Sequence, residues 1–201
     1  LLGAAWTVIR PLTMIIVYTV IFSQIMQAKL AGANTPFAYS IYLCSGILTW
    51  SFFSEILGRA ENVFLENANL IKKVNFPRLC LPIILITNAS VNFAIIFGLF
   101  TAFLIVTGTF PGMVYLAIFP VLAIQILFSA GLGITIGVMN VFFRDIGQLF
   151  AVILQLWFWV TPVVYPLNIL PPMIQDLVKL NPMTNIIGAY QGILVNHQLP
   201  D

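Results

Sequence analysis

The sequence predicts an all-α transmembrane protein, and three observations carry that prediction. The chain of 201 residues is 61% hydrophobic and only 7% charged. A soluble domain carries about 25% charged residues, so this chain cannot clothe a water-facing surface. Its apolar residues gather in five runs, each close to the ~20 residues that cross a bilayer core as helix. Its charges fall almost wholly between those runs. Strands do not fit, because the runs are too long and lack two-residue alternation. The length suits a single domain, 1–201. A net charge of +2 gives no reason to expect a nucleic-acid partner.

The first run covers about 6–28 and starts near Trp6 and Pro11. The second covers about 38–57. An island follows, GRAENVFLENANLIKKVNFPR at 58–78. Its acids, Glu61 and Glu66, come early, and Lys72 and Lys73 come late, an order that suits the dipole of a short helix. Apolar residues between them (Val63, Phe64, Leu65, Leu70, Ile71) make that helix amphipathic. It could lie on headgroups, serve as a solvated connector, or dock in a partner's groove. Pro77 ends it, and the third run, about 79–107, closes at the turn TGTFPG.

The fourth run, about 113–139, contains Gly133 and Gly137 with Ser129 one turn earlier. Such a stripe favours close helix contact, here expected within the subunit rather than across a dimer seam. Next comes the island MNVFFRDIGQ, 139–148. Arg144 and Asp145 are the only charges between Arg78 and Asp176. Neighbouring residues do not face each other on a helix, so their partners should lie in 59–78 or on another protein. A solvated turn anchored by Arg144 is the plainer alternative. The fifth run covers about 147–165. Two short helices are expected after it, 171–179 and 183–195. Pro171 or Pro172 suits a first helical turn, and Asn181 before Pro182 reads as an N-cap followed by Pro at N1. Both are too short to span, so they read as re-entrant or interfacial, with a surface hairpin as the alternative.

Lys and Arg set the orientation. Five crossings put Arg10, Arg59, Lys72, Lys73, Arg78 and Arg144 on one side and only Lys29 and Lys179 on the other. Both islands are therefore expected in the cytoplasm and the two short helices outside.

Chemistry is sparse. No ionisable residue falls mid-span; Glu55 comes closest, about a turn from the cytoplasmic end. That argues against a proton-driven carrier. No GxxxxGK[ST] occurs, so energy must come from another polypeptide. The carboxylates are scattered, which disfavours an enzyme. Cys44 and Cys80 sit at different depths, and His197 stands alone, so neither a disulfide nor a metal is expected, and no cofactor. The first run is too long for a signal peptide. Asn88, Asn92, Gln125 and Gln155 are uncharged amides within the spans, either glue between helices or the lining of a wet path. Trp157, Phe158, Trp159 and Tyr165 cluster in the outer half of the fifth span. They either mark the interface or offer platforms to the C–H faces of sugar rings. Tyr18, Phe22, Trp50 and Phe53 are further candidates for such a path.

Four motifs carry a resemblance. They are LG–W–PL (Leu2, Gly3, Trp6, Pro11, Leu12), NLIKKVNFPR with Leu81–Pro82, NVFFRDIGQ, and the late LNPMTNII–Y. In that order, along essentially the whole chain, they resemble the permease subunits of ABC-type polysaccharide exporters, which move O-antigen, capsule or teichoic-acid chains. The resemblance implies a multi-pass subunit of the bacterial cytoplasmic (inner) membrane with six spans. It also implies an interface helix before the first span, so the chain is expected to be a fragment lacking that helix and the last span. Implied partners are an ATP-binding subunit, a second copy of the chain, lipid-linked polysaccharide and membrane lipids. The segment from Arg59 to Lys73 matches the coupling helix, with Arg59, Glu61, Asn62, Glu66, Asn69, Lys72, Lys73, Arg144 and Asp145 as coupling residues. The two short helices match outer gate helices, with Pro171, Asp176, Asn181, Pro182 and Tyr190 as gate residues. A permease for drugs or lipids, a passive channel or scaffold, and a membrane-embedded glycan enzyme remain as alternatives.

Overall fold

The computed structural model describes residues 9, 13–21, 37–68 and 80–200, and every regular element among them is helical. Helix α1 is Ala38–Ala60, α2 is the single turn Val63–Glu66, and α3 is Cys80–Val106. A 3-10 turn, Gly112–Ala117, leads into α4, Ile118–Phe142. Helix α5 is Ile146–Val160, α6 is Pro172–Lys179, and α7 is Pro182–Gln191, which continues as a π-helical turn, Gly192–Asn196. Three of these are long and apolar enough to cross a membrane: α1, α3 and the Gly112–Phe142 unit, with α5 a shorter apolar helix. Residue 9 and residues 13–21 are helical within the expected first span; the rest of that span lies outside the described residues.

The expected second, third and fourth spans match α1, α3 and the Gly112–Phe142 unit. The fifth is shorter than expected, ending at Val160 rather than near 165. Thr161 precedes Pro162, whose ring disfavours helical backbone at the residue before it, and Thr161 turns extended (φ −86°, ψ 133°). Fifteen residues give about 22 Å of helix, less than the ~30 Å apolar core of a bilayer. The expected helix 183–195 starts one residue earlier, with Pro182 at N1, and widens to a π turn from Gly192 onward.

Helix α1 is the centre of the bundle and packs against α3, α4 and α7. About two-thirds of its most apolar stretch is buried, against 28% for α3 and 22% for the Gly112–Phe142 unit. The outer helices thus each give α1 one narrow stripe. On α3 the stripe is Leu81, Leu85, Ala89, Phe93, Phe97, Phe100 and Leu104, at helical three- and four-residue spacing. On α4 it begins apolar, with Ile118 and Val121, and continues mainly through small and polar residues, Gln125, Ser129, Gly133, Gly137 and Asn140, with Ile136 beside them.

Lipid tails are as apolar as leucine, so helices associate in a membrane by close packing and hydrogen bonds. Both occur here. Phe52 stacks on Phe93 at 4.4 Å between ring centroids, and Phe53 lies parallel to Phe128 at 5.8 Å. Gly133 and Gly137 let α4 touch the end of α1. A Cβ at Gly133 would fall 2.9 Å from Ala60 Cβ, and one at Gly137 only 2.5 Å from the Ala60 carbonyl oxygen. The glycine stripe is therefore used inside the subunit, as expected. Two of the four amides act as glue. Gln125 Nε2 donates to the Thr49 carbonyl at 2.9 Å, and Asn92 Nδ2 donates to Glu55 at 3.0 and 3.3 Å. Asn88 and Gln155 are exposed.

Candidate functional site

Helix α1 ends among charges. Arg59, in its last turn, pairs with Glu55 at 2.7 Å, and the same carboxylate accepts from Asn92 on α3. A carboxylate near the end of an apolar helix is thus held by a cation one turn on and an amide from the neighbouring helix. The chain then breaks at Glu61–Asn62 before α2, so the amphipathic helix does not run unbroken from Arg59 as expected. Asn62 stands at the N-cap position of α2 but makes no capping hydrogen bond. Its side-chain oxygen is committed elsewhere, accepting from Asn140 at 3.2 Å. Val63 is buried, and the Phe64 ring lies where a Cβ on Gly137 would meet it. Glu66 is exposed. Asn69, Lys72 and Lys73 lie outside the described residues.

Asn140 is the residue that sequence reasoning missed. It is only 2% exposed. Its Nδ2 donates to the Glu61 carbonyl at 2.9 Å and to Asn62 Oδ1 at 3.2 Å, and its Oδ1 accepts from the Gly147 backbone N–H at 3.1 Å. One amide therefore ties the α1–α2 corner to the first turn of α5, across the whole 143–146 turn. Gly147 makes this possible, since a Cβ there would sit 3.3 Å from the Asn140 amide nitrogen. The available signal was position: Asn140 lies three residues after Gly137, on the same stripe as the glycine pair.

Arg144 and Asp145 occupy the exposed tip of that turn. Neither makes an ion pair or side-chain hydrogen bond to another described residue, and Asp145 precedes α5 without capping it. The 59–68 segment does not supply their partner. Burial pushes the pKa of Glu61 up, and the hydrogen bond from Asn62 Nδ2, at 3.1 Å, opposes that.

The aromatic candidates separate. Trp50 and Phe53 are buried against Trp157 and Phe158, so they join α1 to α5 rather than facing open space. Trp159 is 62% exposed. Tyr165 is half-buried and donates to the Trp159 and Val160 carbonyls at 3.0 and 3.3 Å, which holds the bend after α5. Tyr18 is half-buried, and Phe22 lies outside the described residues.

At the opposite end, Asn181 is the expected N-cap. Its Oδ1 accepts from Met183 N–H at 3.1 Å and from Trp157 Nε1 at 3.0 Å, while its Nδ2 donates to Thr161 Oγ1 at 2.9 Å. It therefore fastens α7 to the end of α5. Pro182 takes N1 of α7, and Pro171 precedes α6. Asp176 is exposed and pairs with Lys179 at 3.4 Å. Tyr190 is fully buried against Phe97, and its hydroxyl has no partner among the described residues.

Near that end, Tyr39, Tyr42, Tyr165, Asn168, Gln191 and Asn196 help line a cavity of about 570 Å³. Among the described residues no group of three His, Cys, Asp or Glu could hold a metal.

Comparison with known proteins supplies what the geometry alone does not. A family model described as ABC-2 type transporter matches residues 1–195. An O-antigen export system permease protein, RfbA, of Myxococcus xanthus is similar at 32% identity, over all of this chain and 75% of its own length. Another protein of that name, from Klebsiella pneumoniae, is 27% identical over 99% of this chain and 75% of its own length.

Proposed function

The chain belongs to the ABC-2 type transporter family, and on that premise we propose that it is the membrane subunit of an ATP-driven exporter of lipid-linked polysaccharide. Membership makes it a multi-pass membrane protein that is not itself catalytic and that works with an ATP-binding partner. The similarity to two O-antigen export permeases supports the choice of cargo. The positive-inside bias supports a cytoplasmic position for 58–78 and 139–148 in the bacterial inner membrane.

The observation that carries the mechanism is the Asn140 joint. An ATP-binding subunit can work on this chain only through surfaces outside the bilayer. The α1–α2 corner with its exposed Glu66 is one such surface, and the exposed Arg144–Asp145 turn is another. Asn140 bonds to the corner and to Gly147, in the first turn of α5 just past that turn, so a push on either surface reaches α5 as one movement. Helix α5 is suited to receive it, because Gly147 is its one buried residue, and its face with Leu149, Val152, Ile153 and Leu156 is exposed, while Trp157 and Phe158 hold its far end to α1. A second copy of the chain covers part of that apolar surface, and the exported glycan passes between the copies. Because α5 is about 22 Å long, the hairpin α6–α7 sits partly at membrane depth, where it closes the path on the outer side.

Deleting the gene and restoring it tests the cargo. The reading expects loss of surface polysaccharide with build-up of lipid-linked glycan inside the cell, reversed by the restored gene. Unchanged surface glycan with altered drug or lipid efflux would instead assign another cargo to the same machine.

A further inference from the structure

We propose that the cavity between the start of α1, the 165–169 link and α7 is a binding subsite for uncharged sugar rings of the exported chain. The proposal rests on the polysaccharide reading above and gives it a place where the glycan is held near its exit.

The cavity volume of about 570 Å³ lies within the roughly 300–1,000 Å³ of ordinary small-molecule sites. Its chemistry selects among ligands. None of the described residues lining it carries a charge, so they offer an ionic ligand no counter-charge for the hydration it would lose. A purely apolar ligand would cover the exposed amides of Asn168 and Asn196 without offering them partners. An uncharged polyol suits both features. Its C–H faces lie on tyrosine rings, and its hydroxyls meet amides that can both donate and accept.

The platforms are held in advance. Tyr39 donates its hydroxyl to the Val164 carbonyl at 3.2 Å and Tyr42 donates to the Tyr165 carbonyl at 3.0 Å. Their rings lie nearly parallel, 16° apart. Tyr42 is buried and backs Tyr39, whose half-buried ring, with that of Tyr165, is the open part of the wall. Gln191 is threaded beside Gly46, where a Cβ would come within 2.8 Å of its Nε2, and donates long bonds of 3.4 Å to the Tyr42 and Val163 carbonyls. Rigid walls lower the entropy lost on binding.

The second observation concerns Gly188 and Gly192, one helical turn apart on the α7 side of the cavity. Glycine within a helix costs about 1 kcal/mol relative to alanine. At Gly133 and Gly137 the crowding of α1 explains that cost. At Gly188 and Gly192 an added Cβ would meet nothing within 4 Å, so no packing among the described residues requires glycine. What the two glycines leave open is cavity.

The test uses cells that make the glycan and carry the whole transporter. Asn196→p-azidophenylalanine places a photo-crosslinker in the cavity, and Val106→p-azidophenylalanine places one on an exposed site outside the cavity, at the C-terminal end of α3. After illumination, the position-196 protein should shift to a glycan-positive ladder and the position-106 protein should not. Gly192→Leu, whose Cβ meets nothing within 4 Å and whose branch projects into the cavity, should erase the ladder at 196 while the complex is recovered in normal amount. No ladder at 196 in cells that export normally would overturn the subsite and leave the export reading standing. A ladder of equal strength at 106, or one that survives Gly192→Leu, would also overturn it. Absence of surface glycan under the wild-type gene would remove the export reading, and the subsite with it.

Discussion

Replacing Asn140 with alanine should uncouple the α1–α2 corner from α5 without unfolding the bundle. The substitution deletes three hydrogen bonds, to the Glu61 carbonyl, Asn62 Oδ1 and the Gly147 N–H. A net hydrogen bond is worth about 1 kcal/mol, and a buried group left unpaired costs about 1–3 kcal/mol. Asn140 and Gly147 are both buried, so water does not readily substitute. The joint should weaken by roughly 3 kcal/mol, and at about 1.4 kcal/mol per decade its opening becomes roughly 100-fold more frequent. Amide hydrogen exchange on the assembled transporter reads this directly. Peptides covering 59–66 and 144–150 should lose protection, while the middle of α3 keeps it. Asn140→Asp gives a directional control. It keeps an acceptor for Gly147 but sets a carboxylate against the Glu61 carbonyl and Asn62 Oδ1, so 59–66 should loosen more than 144–150. Wild-type protection in both segments of Asn140→Ala, or a uniform loss across α4, would refute the reasoning.

Other consequences are simpler to measure. Gly137→Ala drives a Cβ to 2.5 Å from the Ala60 carbonyl oxygen and should cost about 1–3 kcal/mol by overpacking. Gly131→Ala meets nothing within 4 Å and should gain up to about 1 kcal/mol from helix propensity; thermal unfolding in detergent that ranked the two in reverse would contradict this packing. Tyr190→Phe removes a buried hydroxyl that has no partner among the described residues, so Tm should hold or rise by the equivalent of about 1 kcal/mol. A fall would mean the hydroxyl is bonded. Glu61 gives a pH dependence. Burial raises its pKa above the ordinary 4.5, so the folded protein keeps this proton longer than the unfolded chain does. The stability it adds is full below 4.5 and declines as pH climbs through the raised value. Glu61→Gln should flatten that part of the Tm–pH curve, and an unchanged slope would assign it to another group.

Span positions were legible because they depend on one physical quantity, the length of apolar sequence between polar breaks. The second, third and fourth runs matched α1, α3 and the Gly112–Phe142 unit for that reason. The glycine stripe was legible too, because small residues at four-residue spacing have few uses in lipid. The end of α5 was harder. Thr161–Pro162 signals a break, but Val163, Val164 and Tyr165 continue the apolar run and mask it. The corner before α2 is tied by Asn140, 78 residues away, whose amide takes the Asn62 oxygen that would otherwise cap α2. No local pattern carries such information. Trp50 and Phe53 show a related limit. Most residues around α1 are apolar, so periodicity does not tell a buried aromatic from one lining a path. The outer cavity was invisible for a third reason: Tyr39, Asn168 and Gln191 meet only once α1, the link after α5 and α7 are packed.

The central claim is that an ATP-binding subunit drives this chain through the α1–α2 corner. The most direct measurement is a site-directed cross-link from Glu66→Cys, at the exposed end of α2, in a background with Cys80→Ser. The full-length permease would be co-purified with its ATP-binding subunit. The account predicts a stable complex and a cross-link to that subunit whose yield changes between nucleotide-free and ATP-bound states, with Asn140→Ala leaving the cross-link but abolishing export. A folded complex with no cross-link at Glu66→Cys, or one indifferent to nucleotide while export continues, would contradict it.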